Sequence, residues 1–121
     1  MATTVLFQSP QGGTGIQGSQ TDHIVTGLDI SNVKNLRITY KHSSGAGSVT
    51  VTVKIIHEAA GANANLVLAT LDTVVMSNLQ TTSKVYPNIV GRRLSIDGTA
   101  SPMTGPTTSA ESLILIVLGD S

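Results

Sequence analysis

The sequence contains no cysteine and no tryptophan, and its other aromatic residues are one phenylalanine and two tyrosines. Without cysteine, the chain cannot form a disulfide framework, a thiolate metal site or a cysteine nucleophile. The aromatic residues are Phe7, Tyr40 and Tyr86. They offer few surfaces on which nucleic-acid bases could stack.

Charge is also scarce, because seven basic and seven acidic residues give a formal net charge of zero. The sequence has no basic stripe that could neutralise phosphates, so we expect no nucleic-acid partner. A neutral chain with few charges repels its own copies only weakly, which favours association.

Long hydrophobic runs are absent as well. The longest apolar run, Leu113 to Leu118, has six residues, and a bilayer-spanning helix needs roughly 20. We therefore expect no membrane insertion. The first ten residues, MATTVLFQSP, lack the basic region and the long apolar region of a secretory signal peptide, so we expect the protein to be made without one.

Strict alternation of apolar and polar residues is the strongest structural signal that is present. Residues 36–41 and 49–56 alternate in this way, and the Gly/Ser-rich residues 43–47 lie between them. This pattern predicts a hairpin whose apolar side chains, Tyr40 included, face a core.

Further strands are predicted from alternation or from short apolar runs bounded by turn residues: 23–30, 66–75, 82–86, 92–97 and 113–118. Within 66–75, Leu66 and Leu68 are predicted to face inward. Residues 113–118 are apolar on both faces, which is typical of a strand covered on both sides or lying in an interface. Seven or eight regularly spaced strands predict an all-β, antiparallel two-sheet sandwich of the jelly-roll type.

The N-terminal 22 residues differ from the rest. Residues 3–8, TTVLFQ, are a short apolar segment that favours a β-strand. Residues 9–22 form a tether rich in glycine, glutamine and threonine. We therefore predict an N-terminal extension over residues 1–22 and a β-sandwich domain over residues 23–121.

The strand at residues 3–8 supports a hypothesis of self-association. An extended segment can add to the open edge of another subunit's sheet. Val5 and Phe7 would then lie on one face and Leu6 on the other, and we predict these three as subunit-interface residues. The tether can reach the chain's own sandwich or a neighbour's, so both remain open. Repeated donation between chains produces a ring or a filament.

Candidate catalytic and metal-binding side chains are scattered. His23, His42 and His57 lie at strand ends with no spacing typical of metal ligands, so we predict exposed or rim positions. The acids lie singly beside turns, where Asp is favoured for turn formation. Residues 11–18, QGGTGIQG, precede no helical pattern and contain no lysine, which argues against a phosphate loop. We predict no catalytic site, no metal, no cofactor and no enzyme activity.

A sugar-binding module is the alternative, because many such modules are β-sandwiches. Sugar rings are usually held by stacking on an exposed aromatic side chain. Tyr86 is the best candidate, with Arg92 or Arg93 close by in the sequence. These three residues are therefore predicted as a candidate glycan-binding site.

The runs IVTGLDISNVKNLRITYKHSSGAGSVTVTVKII (24–56) and SKVYPNIVGRRLSI (83–96) resemble small β-sandwich proteins of spore-forming bacteria. The organisation is similar to that of endospore-appendage subunits, which are jelly rolls with a flexible N-terminal connector that stack into fibres. Connector cysteines cross-link those subunits, and this chain has none. The resemblance implies a fibre held by strand addition and packing alone. Phage tail, fibre and head-decoration proteins use similar sandwiches.

These observations predict a non-enzymatic structural subunit that self-assembles into a fibre, ring or surface layer by N-terminal strand exchange. The alternative is a glycan- or receptor-binding module of a phage or cell-surface assembly. In either case we expect an extracellular surface structure, on a spore or a virion.

Overall fold

The computed structural model of the protein describes residues 3–17, 21–45, 47–101 and 110–121. Within these ranges it contains nine β-strands and no helix. The strands are β1 (Thr3–Gln8), β2 (Thr14–Gln17), β3 (Thr21–Asp29), β4 (Asn35–Ser44), β5 (Ser48–Ile56), β6 (Val67–Met76), β7 (Thr81–Tyr86), β8 (Arg93–Ser101) and β9 (Ala110–Asp120).

The strands form two antiparallel sheets. Sheet 1 has the order β1-β9-β4-β7, and sheet 2 has the order β3-β8-β5-β6. β1 and β2 pair with successive parts of β9, so the two strands share one position in sheet 1. Successive strands lie in different sheets except for β1 and β2 and for β5 and β6. The predicted hairpin of residues 36–41 and 49–56 is therefore wrong, because β4 pairs with β7 and β9 in sheet 1 and β5 pairs with β6 and β8 in sheet 2. Each sheet has four antiparallel strand positions, as in a jelly roll. This confirms the predicted antiparallel two-sheet sandwich.

The core lies between the sheets, on the faces that the alternation predicts. Tyr40 is fully buried, as predicted, and so are Val49, Val51 and Val53 on β5. β9 is the central strand that is apolar on both faces. Its residues Leu113, Leu115 and Val117 lie in the core. Its other face, with Ile114, Ile116 and Leu118, is half-buried on the outside of sheet 1.

The described part of the predicted tether is ordered within sheet 1. Residues 14–17 form β2, and the side chain of Ile16 is fully buried in the core. Gly12 and Gly13, both with positive φ, turn the chain so that it pairs with β9 a second time. Sequence pattern alone does not indicate this strand, because Ile16 is a single apolar residue among glycine, glutamine and threonine.

The predicted orientation of the first half of β6 is wrong. Leu66 and Leu68 are 51% and 58% exposed instead of facing inward. The pairing of β6 with β5 has two register shifts, between Val53 and Lys54 and between Ile55 and Ile56. Such irregularities break the alternation of faces on which the prediction depends.

Candidate functional site

The N-terminal strand pairs with the C-terminal strand of its own chain. The register runs from Thr3 opposite Asp120 to Gln8 opposite Ile116. The Thr3 hydroxyl donates to Asp120 Oδ1 at 2.6 Å. β1 is an edge strand with β9 as its sheet neighbour. Within the single chain, β1 is therefore an edge strand paired with the chain's own β9.

The three predicted interface residues lie on β1 but do not alternate as expected. Val5 is 57% exposed, whereas Leu6 and Phe7 are both half-buried and packed against the core. The predicted split, with Leu6 alone on one face, is wrong because of a β-bulge. Between Val5 and Phe7 the register shifts, so that β1 advances two residues while β9 advances one.

Cross-strand pairing places a row of side chains across the whole of sheet 1. Val5 lies opposite Leu118, Leu118 opposite Arg37, and Arg37 opposite Val85. Val5 and Val85 are both more than half exposed. In the middle of β9 the outward residues are all aliphatic. We call Ile114, Ile116 and Leu118 the apolar stripe.

The outward positions of sheet 2 are chemically different. On β5 they hold Thr50 and Thr52, which pair with Thr99 and Asp97 of β8. These side chains are polar, as is usual for the solvent face of an antiparallel sheet. The apolar stripe on β9 therefore differs from the central strand β5 of sheet 2, while Val75 on the edge strand β6, opposite Thr50, is apolar and exposed.

The predicted exposure of His42 is wrong, because this histidine is fully buried. Its Nε2 lies 2.9 Å from Oε2 of Glu111, which is itself 1% exposed. Its Nδ1 lies 3.0 Å from the carbonyl oxygen of Ser77. Glu111 Oε1 accepts a hydrogen bond from the backbone N–H of Gly47 at 2.8 Å.

The geometry of the His42–Glu111 pair fixes its chemistry. A carbonyl oxygen can only accept, so Nδ1 carries a proton and donates to Ser77. One more proton lies between Nε2 and the carboxylate, so the pair is neutral as a whole. With all these polar atoms paired and buried, the pair ties the β6–β7 turn and the β4–β5 loop to sheet 1.

A second histidine lies on the outer face of sheet 2. His23 Nδ1 is 2.8 Å from Asp97 Oδ1, and the other Asp97 oxygen accepts from Lys54 Nζ. Burial acts to raise the pKa of Asp97, but the hydrogen bonds from Lys54 and His23 outweigh it and lower this pKa. A cavity of about 110 Å³ adjoins the cluster. Ser95 lines the same cavity, and its hydroxyl accepts from the Gly27 N–H.

Tyr86 belongs to a hydrogen-bonded clasp between the sheets. Its hydroxyl donates to Asp72 Oδ2 at 2.7 Å and lies 2.8 Å from the Tyr40 hydroxyl. Asp72 also accepts from Lys84 Nζ at 3.2 Å. We call Tyr40, Asp72, Lys84 and Tyr86 the tyrosine clasp. It links β6 of sheet 2 to β4 and β7 of sheet 1.

The tyrosine clasp shifts the pKa values of its members. Burial raises the pKa of Tyr40 to about 12. Burial, together with the hydrogen bonds to Tyr40 and Asp72, raises the pKa of Tyr86 far above its usual range. Burial also acts to raise the pKa of Asp72, but the hydrogen bonds from Tyr86 and Lys84 prevail and lower it.

The structure does not bring the candidate glycan-binding residues together in one cavity. Arg92 and Arg93 line a shallow cavity of about 390 Å³ with His57 and Glu58, and Tyr86 is not part of that lining. Arg93 Nη1 donates to the carbonyl oxygen of Gly27 at 3.2 Å. Glycan binding by Tyr86, Arg92 and Arg93 stays a prediction.

Within the described ranges, no group of three or more His, Asp or Glu side chains could hold a metal ion. The same part of the chain contains no helix of sufficient length and apolarity to cross a membrane.

No protein-family model and no curated protein matches the sequence. The fold is similar to a solved structure of Bacillus endospore appendages, described as a novel family of disulfide-linked pili. The TM-score is 0.52 at 13% identity, covering 97% of this chain and 82% of that chain. The suspected resemblance is thus confirmed at the level of the fold.

Two viral structures also match, with lower scores. They are infectious bursal disease virus of the Gx strain and the VP2 subviral particle of that virus. Their TM-scores are 0.39 and 0.41, at 10% and 14% identity. The match covers 97% of this chain and 31% of each viral chain, so this chain spans about a third of their length.

Proposed function

We propose that the protein is a non-enzymatic structural subunit that assembles with copies of itself by exchanging β1. The assembly is a fibre, ring or layer in an extracellular surface structure of a spore or a virion. The observation that carries the proposal is the position of β1, an edge strand that packs Leu6 and Phe7 against the core beside β9.

The interactions of β1 are of a kind that a neighbour can supply. Its ladder hydrogen bonds run to β9, and Leu6 and Phe7 pack against the core beside that strand. A short turn at residues 10–13, closed by a 2.9 Å bond from Gly13 N to Pro10 O, joins β1 to β2. Opening this turn lets residues 3–8 leave their own sheet and occupy the same place in the next chain. Exchange of an identical element costs little, because each chain receives from its neighbour the same strand that it donates.

When each chain donates β1 to the next, the contact is heterologous. The assembly then grows as a filament unless the rotation from one subunit to the next closes it into a ring. The fold likeness to appendage pili supports a structural subunit of this kind. Those pili are described as disulfide-linked, and this chain contains no cysteine. Its assembly would therefore depend on strand pairing and packing alone.

A non-enzymatic role is supported by the polar clusters of the described residues. His42 and Glu111 satisfy each other in the interior, and the tyrosine clasp holds the sheets together. Each cluster thus has a structural use that needs no substrate.

Deletion of residues 1–8 tests the proposal. The deletion stops before β2, because Ile16 belongs to the core. We expect a folded protein by circular dichroism and, by electron microscopy, no fibres. The control is Val90→Asp in the full chain, which changes a 90% exposed apolar residue outside β1 and should leave assembly intact. Fibres of the truncated chain that match those of the full chain would rule out strand exchange.

A further inference from the structure

We propose that the outer face of sheet 1 binds the same face of a second copy, with β9 over β9 and the strands antiparallel. This contact is a second one beside strand exchange, and it rests on the same premise that copies associate. The apolar stripe forms its centre.

The apolar stripe marks a covered surface because it breaks the pattern of its own sheet. An antiparallel sheet with one solvated face carries polar side chains outward. β4 follows this rule, with Arg37, Thr39 and Lys41 outward beside β9. In contrast, β9 in the middle of the sheet presents three successive outward positions that are all aliphatic. Val5, opposite Leu118, extends the apolar area onto β1.

The size of the face is compatible with a dimer contact. Four strand positions at about 4.8 Å spacing and roughly nine residues at about 3.4 Å rise give a face of about 19 by 30 Å. That is roughly 600 Å² per copy, against about 800 Å² per partner in a standard interface. We therefore expect a moderate affinity.

Charge complementarity identifies a second copy as the occupant. Asp120 lies opposite Asn35 at one end of the face, and Lys41 lies opposite Ile114 at the other. Among the described residues, neither Arg37 nor Lys41 forms an ion pair. Within that part of the chain, the face therefore carries two cations without an ion pair, Arg37 and Lys41. Its acid, Asp120, lies at the opposite end from Lys41.

The register of the rows selects the antiparallel arrangement. A row here is the set of residues that lie opposite one another across the strands. We place a two-fold axis perpendicular to the strands, between the row of Ile116 and the row of Leu118. This axis brings the row of Asp120 in one copy over the row of Ile114 and Lys41 in the other. Asp120 then faces the partner's Lys41, and the symmetry forms this contact twice. The parallel arrangement instead brings Asp120 over Asp120, which is repulsive.

Ile116→Lys tests the apolar centre of this contact. The matched control is Thr52→Lys, a half-buried outward residue on central strand β5 of sheet 2. Sedimentation equilibrium of the full chain, at concentrations at which electron microscopy shows no fibres, should show a dimer that Ile116→Lys weakens at least about 30-fold, the effect of losing a hot-spot residue. Thr52→Lys should leave the dissociation constant within about threefold. Thermal melts by circular dichroism verify that both variants fold.

A charge exchange tests the orientation. Lys41→Asp and Asp120→Lys should each weaken the dimer, and the double variant Lys41→Asp/Asp120→Lys should restore it to within a few-fold of the original. An unaltered dissociation constant in Ile116→Lys, or a double variant weaker than either single variant, would overturn the proposal. Fibres that form without the β9-over-β9 dimer would overturn this contact alone. A β9-over-β9 dimer that forms without fibres would overturn strand exchange alone.

Discussion

Replacing Tyr86 by phenylalanine should destabilise the sandwich by removing the centre of the tyrosine clasp. The Tyr86 proton goes to Asp72, so its oxygen accepts from the Tyr40 hydroxyl. The substitution removes a hydrogen bond to a carboxylate, worth about 1.5–3 kcal/mol. It also leaves the fully buried Tyr40 hydroxyl without an acceptor, which costs about 1–3 kcal/mol.

We take about 3 kcal/mol for Tyr86→Phe, because Asp72 keeps Lys84 and some contact with water. For a domain of this size the unfolding entropy is roughly 250 cal/mol/K, so the melting temperature should fall by about 12 °C. Tyr40→Phe should cost only about 1 kcal/mol, because Tyr86 still donates to Asp72.

The double variant Tyr40→Phe/Tyr86→Phe distinguishes this account from simple loss of packing. It has no stranded hydroxyl, so it should be more stable than Tyr86→Phe by about 1 kcal/mol. The assay is urea unfolding followed by far-ultraviolet circular dichroism. A loss below about 1 kcal/mol in Tyr86→Phe, or a double variant less stable than that single one, would refute the reasoning.

Three further predictions concern buried polar groups. The pKa of Tyr40 is raised from 10.0 to about 12, so the contribution of its neutral hydroxyl to folding stability is complete below pH 10 and is lost as the pH rises towards 12. The chain has no tryptophan and two tyrosines, so absorbance at 295 nm should show tyrosine ionisation that coincides with unfolding. The pKa of Asp97 is lowered from 3.8, so the contribution of its carboxylate to folding stability is present above that pH and is lost as the pH falls further. Asp97→Asn should therefore reduce the loss of folding stability at acid pH, and an unchanged dependence of stability on pH would contradict this. His42→Ala leaves the buried Glu111 carboxylate without its partner and should cost about 3–5 kcal/mol in urea unfolding; a cost below about 1 kcal/mol would contradict the buried pair.

The alternating strands can be predicted because each depends on neighbours in sequence. Tyr40 faces inward as its position between Thr39 and Lys41 indicates. The run from Leu113 to Leu118 is apolar on both faces, and its second face is the apolar stripe. Local periodicity therefore predicts these strands and points to the stripe, but it does not predict their pairing, because β4 and β5 lie in different sheets.

The features that sequence pattern misses depend on distant residues. His42 and Glu111 are 69 positions apart, and only the pairing of β4 with β9 brings them together. Tyr86 has an ordinary strand position, but its hydroxyl meets Tyr40 across 46 positions of the chain. The orientation of Leu6 depends on a bulge, and a one-residue shift reverses which face a side chain occupies.

Strand exchange itself is tested most directly by the paired substitution Val5→Cys/Leu118→Cys. The two residues lie opposite each other on β1 and β9, within the range in which cross-strand cysteines can be bridged. The chain has no other cysteine, so disulfides form only between these two positions, and the Val5→Cys and Leu118→Cys single variants identify any that join like positions. Exchange between chains predicts a ladder of covalent multimers on a non-reducing denaturing gel, collapsed by reductant and absent from the Val5→Cys single variant. A single band of oxidised monomer would contradict the account.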